Sequence, residues 1–161
     1  MNWKKLIPLS ALALAVALLA GCSREEEAKP LPESMDTETV VAAGEAVLNQ
    51  LLDGDYQAVY DQFRSDIQAD LTVEDIQELV EPVFTDAGTY ESIQTTDAVG
   101  SSEDEEHGIA RFLCVFSQEE VLFNAAFDPD MELIGLSTGF YTSDWTLSNL
   151  VDNIKGMFSG D

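Results

Sequence analysis

The side chains in this sequence that could do covalent or acid–base chemistry are few and widely spaced. There is one histidine, His107, and there are two cysteines, Cys22 and Cys114. A catalytic thiol needs a neighbouring base to draw it into the thiolate, and His107 is the only imidazole that could serve. Cys114 falls inside an alternating apolar run, where a thiol behaves as a small buried hydrophobe and is inert. Carboxylates are abundant, with 31 Asp and Glu against 7 Lys and Arg. They crowd in Glu103-Asp104-Glu105-Glu106 and again in Asp128-Pro129-Asp130-Met131-Glu132. Neither stretch has the alternating ligand positions and turn glycine of a calcium loop. Both therefore read as solvated turns, and the sequence implies no metal and no cofactor.

The other cysteine, Cys22, offers a different chemistry, because it follows a segment built for export. Lys4 and Lys5 give a positive start, and Leu6 to Leu19 form an apolar stretch broken only by Pro8 and Ser10. The stretch is too short for a comfortable membrane span, and Ser23-Arg24-Glu25-Glu26-Glu27 follows at once. Its end, Leu19-Ala20-Gly21-Cys22, resembles the lipobox of bacterial lipoproteins. That resemblance implies removal of residues 1–21 and acylation of Cys22, which then cannot enter a disulfide. Two or more acyl chains anchor a protein stably where one is marginal. The expected localisation is the bacterial cell envelope, outside the cytoplasm and lipid-anchored to the membrane. Residues 22–35 read as the lipidated cysteine and a flexible tether, rich in charge and proline; fully extended, residues 23–35 reach at most roughly 45 Å.

The elements that would position any site occupy 36–140. Three adjacent apolar runs dominate, in GIARFLCVFSQEEVLFNAAFDPDMELIGLS from Gly108 to Ser137. Ala110, Phe112, Cys114 and Phe116 alternate with Ile109, Arg111, Leu113 and Val115. Val121, Phe123, Ala125 and Phe127 alternate in turn with Leu122, Asn124 and Ala126. Alternate strand side chains point to opposite faces, so the aromatic residues gather on one side of an antiparallel sheet. Asp128-Pro129-Asp130 presets a turn, and Thr89 to Val99 reads as a further strand. Upstream, Thr37 to Leu52 carries apolar residues at helical spacing behind Asp36 or Thr37 as cap. A second helix begins at Asp55 with Tyr56, Val59, Tyr60 and Phe63 inward. A third starts at Thr72-Val73-Glu74-Asp75, close to a capping box, and Pro82 should kink or break it near Val80-Glu81. The predicted fold class is α+β: three N-terminal helices packed on a curved antiparallel sheet of about four strands. A C-terminal helical extension over 141–161 follows, with Leu147, Leu150, Val151, Ile154 and Phe158 at helical spacing.

The pieces Leu51-Leu52-Asp53-Gly54-Asp55-Tyr56, Phe63, Leu71-Thr72, Gly88-Thr89-Tyr90, Phe127-Asp128 and Ile134-Gly135-Leu136 together resemble a family of unknown function. Its members are bacterial lipoproteins and secreted proteins in the nuclear-transport-factor-2-like, cystatin-like α+β cone superfamily. The resemblance covers about residues 37–138 and implies a cone-like fold without bringing a reaction. In some relatives the domain accompanies a hydrolase or cell-wall enzyme, which implies an accessory role. The wider superfamily includes ketosteroid isomerase, whose chemistry needs a carboxylate base in an apolar cone. Here Tyr56, Tyr60, Asp61, Tyr90 and His107 are the groups that could reach such a cone. No Asp or Glu falls on the aromatic positions of the two central strands, so the sequence assigns no catalytic residue.

Two surfaces remain as candidate sites. A pocket between helices and sheet would be lined by Tyr56, Tyr60, Phe63, Phe84, Tyr90, Phe112, Cys114, Phe116, Phe123 and Phe127, and would suit a small apolar ligand. The other face of the sheet, with Ile109, Leu113, Val115, Leu122 and Ala126, needs a cover. Leu147, Leu150 and Ile154 of the tail, a second copy or an envelope protein could supply it. The net charge of −24 excludes nucleic acid as a partner, since phosphate neutralisation requires Lys and Arg. The expected function is non-enzymatic binding of a small ligand or an envelope partner. The alternatives are an isomerase or dehydratase using the cone, and a structural dimerisation module assisting a cell-wall enzyme.

Overall fold

The structure, a computed structural model, describes residues 29–102 and 104–142. Four helices precede four strands: α1 Thr37–Leu52, α2 Tyr56–Tyr60, α3 Ser65–Gln68, α4 Val73–Ala87, then β1 Tyr90–Ser101, β2 His107–Phe116, β3 Glu120–Phe127 and β4 Leu133–Phe140. The strands form one antiparallel sheet in the order β1-β2-β3-β4, curved and open at both edges. The helices begin where short polar side chains can satisfy the orphan N–H groups of a first turn. Asp36 accepts from Thr39 N–H at 2.9 Å and Asp55 from Ala58 N–H at 3.1 Å. Thr72 and Asp75 form a reciprocal capping box at the start of α4. Gly54 and Gly88 follow α1 and α4 at positive φ, 74° and 93°.

Three sequence expectations change. The one-turn helix α3 was not anticipated; it forms after Phe63, which leaves helical geometry to bridge Leu133. The helix expected to kink or break at Pro82 runs unbroken from Val73 to Ala87. Pro82 is exposed, so the carbonyl that loses its donor can turn to water. The stretch expected to be tether over 22–35 is in contact with the domain from Lys29 onward. Gly100 N–H donates to the Lys29 carbonyl at 2.8 Å, Leu31 packs against the core and Met35 is buried.

The central register fixes the two faces. Phe112 stands opposite Phe123, Ala110 opposite Ala125, and Cys114 opposite Val121. This aromatic face receives the helices: α1 lies over β1–β3, α4 over β3 and β4, and α2 touches both. At Gly44, α1 meets the sheet without a spacer. A Cβ there would come within 2.8 Å of the Phe112 ring and 2.5 Å of the Ala110 methyl. The core is this interface, with Val40, Val47, Leu48, Val59, Ile76 and Val80 set against Phe112, Cys114, Phe123 and Leu136. On β1, one of the two edge strands, the pairing with β2 slips between Tyr90 and Ser92 and between Ile93 and Thr95.

Candidate functional site

The ten residues expected to line a pocket fall into two sets. Phe63, Phe112, Cys114, Phe116, Phe123 and Phe127 are buried in the helix–sheet core. The Phe112 and Phe123 rings stack at 6.1 Å, and Phe112 lies directly under Gly44, so the middle of the face is filled by the protein itself. Tyr56, Tyr60, Phe84 and Tyr90 are half-buried around the margin. Phe84 and Tyr90 both contact Phe116, with centroids 5.2 and 5.5 Å away. Partial burial raises the phenol pKa of both Tyr56 and Tyr90, with the carboxylate of Glu81 adding to it at Tyr56, and Cys114 followed by Glu45 adding to it at Tyr90. Both phenols are therefore neutral hydrogen-bond donors at physiological pH. One polar atom on the aromatic side, Thr138 Oγ1, is buried with no hydrogen-bond partner among the described residues.

The titratable groups do not converge on that face. Burial pushes the Cys114 thiol up to about 11, so it is protonated and unreactive near neutrality. Cys114 and His107 lie on opposite faces of β2 and seven residues apart, roughly 23 Å along the strand, which rules out a thiolate–imidazole pair. His107 Nδ1 lies 2.8 Å from the Glu105 carbonyl. Asp128, buried like Cys114 and His107, is held from three sides. It accepts from the backbone N–H of Asp130 at 3.0 Å, that of Glu132 at 2.9 Å, and Arg64 Nη1 at 3.2 Å. Arg64 also meets Asp66 at 2.7 Å and Glu105 at 2.8 Å. Those hydrogen bonds, Asp66 first, raise the guanidinium pKa further above its ordinary value. This ion-pair knot ties α3, the β1–β2 loop and the β3–β4 turn together. Sequence reasoning missed it because its members lie up to 64 residues apart and follow no spacing; the available signal was Arg64, a rare cation among acids. Among the described residues no group of three or more His, Cys, Asp or Glu is arranged to hold a metal ion.

The second face of the sheet is banded. Val99, Ile109, Ala126 and Ile134 form a small buried cluster at one end, touched by Ile67 of α3. A polar belt crosses the middle, with Asp97 paired to Arg111 and Asn124 donating to Ser137 at 3.1 Å. Beyond it Leu113, Val115 and Leu122 are half-buried, and Leu113 stands directly opposite Leu122. Of the expected interface residues, Leu147, Leu150 and Ile154 lie outside the described residues, as does the expected lipidation site Cys22.

A four-stranded antiparallel sheet, curved and open, with helices on one face, defines an α+β domain with a filled aromatic interior. The chain belongs to the family described as "Protein of unknown function (DUF3887)", whose model matches residues 44–136. Its fold is similar to that of the "NMR structure of protein from Ruminococcus gnavus ATCC 29149". The TM-score is 0.59 at 23% identity, over 68% of this chain and 96% of that one. This likeness concerns the fold alone. No curated protein matches the chain.

Proposed function

We propose that this protein is a lipid-anchored, extracytoplasmic domain of the bacterial envelope that binds a partner protein through the second face of its sheet. The carrying observation is the contrast between the two faces. The aromatic face is filled by its own helices, whereas Leu113, Val115 and Leu122 form a half-buried apolar band beyond the polar belt. Cores of binding surfaces are apolar and bordered by polar groups, which is how this face is laid out. The anchoring part of the reading is supported by Leu19-Ala20-Gly21-Cys22 and the export-type segment before it. The cone-type superfamily is supported by the quoted family pieces and by the order of helices before sheet.

Two measurements test the two parts. Cys22→Ala should move the protein from the membrane to the soluble fraction and abolish an acyl mass increment on the N-terminal peptide. A photo-crosslinking residue in place of Leu122 should give a discrete adduct that the same residue at exposed Glu74 does not. An adduct of twice the chain mass would make the partner a second copy, and the absence of any adduct at Leu122 would overturn the docking surface.

A further inference from the structure

The short stretch ahead of α1 is seated in a slot made by two glycines. Gly100 on β1 and Gly108 on β2 are cross-strand partners, so on the aromatic side this pair presents bare backbone. A Cβ on Gly100 would collide with the Pro30 carbonyl and come within 3.0 Å of Leu31 Cα. A Cβ on Gly108 would meet Met35 Cε at 2.9 Å and Leu31 Cδ2 at 3.0 Å. The first collision is with backbone and cannot be relieved by a side-chain rotation; the second involves flexible side-chain ends. Lys29 adds an antiparallel bridge to Gly100, through the Gly100 N–H to Lys29 carbonyl bond at 2.8 Å, and its ammonium reaches Ser102 Oγ at 3.3 Å. Backbone pairing, the glycine slot and the buried Met35 together make residues 29–35 a strap.

The bridge also gives the strap a direction. Because the pairing is antiparallel, the strap read back toward Lys29 runs the same way as β1 running C-terminally. At Lys29 it points past Ser102, toward the end that carries the β1–β2 loop and the Arg64 knot. The β2–β3 turn at Ser117–Glu119 is at the other end of β2, roughly 33 Å away for a ten-residue strand.

We propose that the strap holds the anchored domain in one orientation, with the β1–β2 loop toward the bilayer and the β2–β3 turn away from it. Only residues 23–28 then separate the acylated Cys22 from the docked strap, a stand-off of at most ~20 Å when fully extended. A free tether over 23–35 would more than double that reach and leave the domain unoriented. The inference rests on the lipid-anchored reading of Cys22, whereas the docking of the strap does not.

The test uses the full-length acylated protein in phosphatidylcholine vesicles that contain an acceptor-labelled lipid. A donor dye is placed on Glu106→Cys at the loop end or on Gln118→Cys at the far end; Cys114 is buried and Cys22 is acylated. The dye on Glu106→Cys should be quenched more strongly than the dye on Gln118→Cys. Adding Leu31→Asp, which unseats the strap without altering the sheet, should bring the two toward equality. Equal quenching with the native strap, or an unchanged difference after Leu31→Asp, overturns the orientation. Amide exchange in the soluble Cys22→Ala protein examines the strap alone. Gly100 N–H should be protected and lose at least ~tenfold of that protection with Leu31→Asp; an unprotected Gly100 overturns the strap. A mass spectrum without acyl chains on Cys22, alongside a protected Gly100, would overturn the anchor and leave the strap standing.

Discussion

Cys114 and Asp128 show how side chains of chemical promise are used for packing and turn closure. The neutral state of Cys114 has a stability consequence with a definite sign. Burial pushes its thiol up to about 11, above the ordinary thiol value near 9. Its contribution is therefore complete below pH 9 and lost as pH rises through 11. The phenols of Tyr56 and Tyr90 are shifted the same way, so Cys114→Ala should flatten the alkaline fall in unfolding free energy without removing it. At pH 8, native protein should leave Cys114 unmodified by iodoacetamide, and denatured protein should be alkylated within minutes. Asp128→Ala should cost about 2–4 kcal/mol, because it strips a buried acceptor from two backbone N–H groups and the Arg64 guanidinium. Urea unfolding would read that loss. Asp128→Asn should recover part of it by keeping an acceptor oxygen in place.

The elements were largely legible because their signals are local. Alternation through Phe112, Phe116, Phe123 and Phe127 gave the correct face, since a register slip of one residue would have exposed every aromatic ring. Asp36, Asp55 and Thr72 gave the helix starts, since an N-cap needs only a side-chain oxygen and a following turn. What was illegible depends on tertiary contacts. The turn of α3 carries no periodicity at four residues. The continuity of α4 through Pro82 depends on the packing of Ile76, Leu79, Val80 and Val83, which outweighs the proline's local penalty. Pro82→Ala should thus stabilise the domain by about 1–3 kcal/mol, measured as a raised urea midpoint with an unchanged m-value. The same logic runs the other way at Gly44, where α1 rests directly on Phe112 and Ala110. Gly44→Val should destabilise by about 1–3 kcal/mol through overpacking, despite valine's lesser conformational freedom in the unfolded chain. Unfolding of that variant should follow α1 and the sheet together. The candidate surfaces were legible as faces only. The filling of the aromatic side depends on how closely a helix approaches, and no residue pattern states a distance.

At the scale of the whole molecule, charge sets the conditions under which these contacts act. With 31 acids against 7 bases, carboxylates must largely neighbour one another, and the described arginines, Arg64 and Arg111, are each committed to ion pairs. Raising salt from ~10 mM to ~150 mM shortens the screening length from about 30 Å to about 8 Å, and the self-repulsion it damps exceeds the attraction it weakens. The melting temperature should rise with sodium chloride; a fall would mean that the Arg64 knot outweighs the field of the remaining acids. The open edge of the sheet carries a separate consequence. Along β1 the outward amide of Ala98 is taken by the Asp97 carboxylate at 2.8 Å, the next outward amide, of Gly100, is taken by Lys29, and the pairing slips twice near Tyr90. Irregular pairing and occupied amides are how natural sheets keep a foreign strand from adding to an edge. A chain cut back to begin at residue 36 would lose Leu31 and Met35 from the margin of the core and offer the Gly100 end of β1 to any extended peptide, so the segment ahead of α1 also keeps neighbouring copies from joining edge to edge.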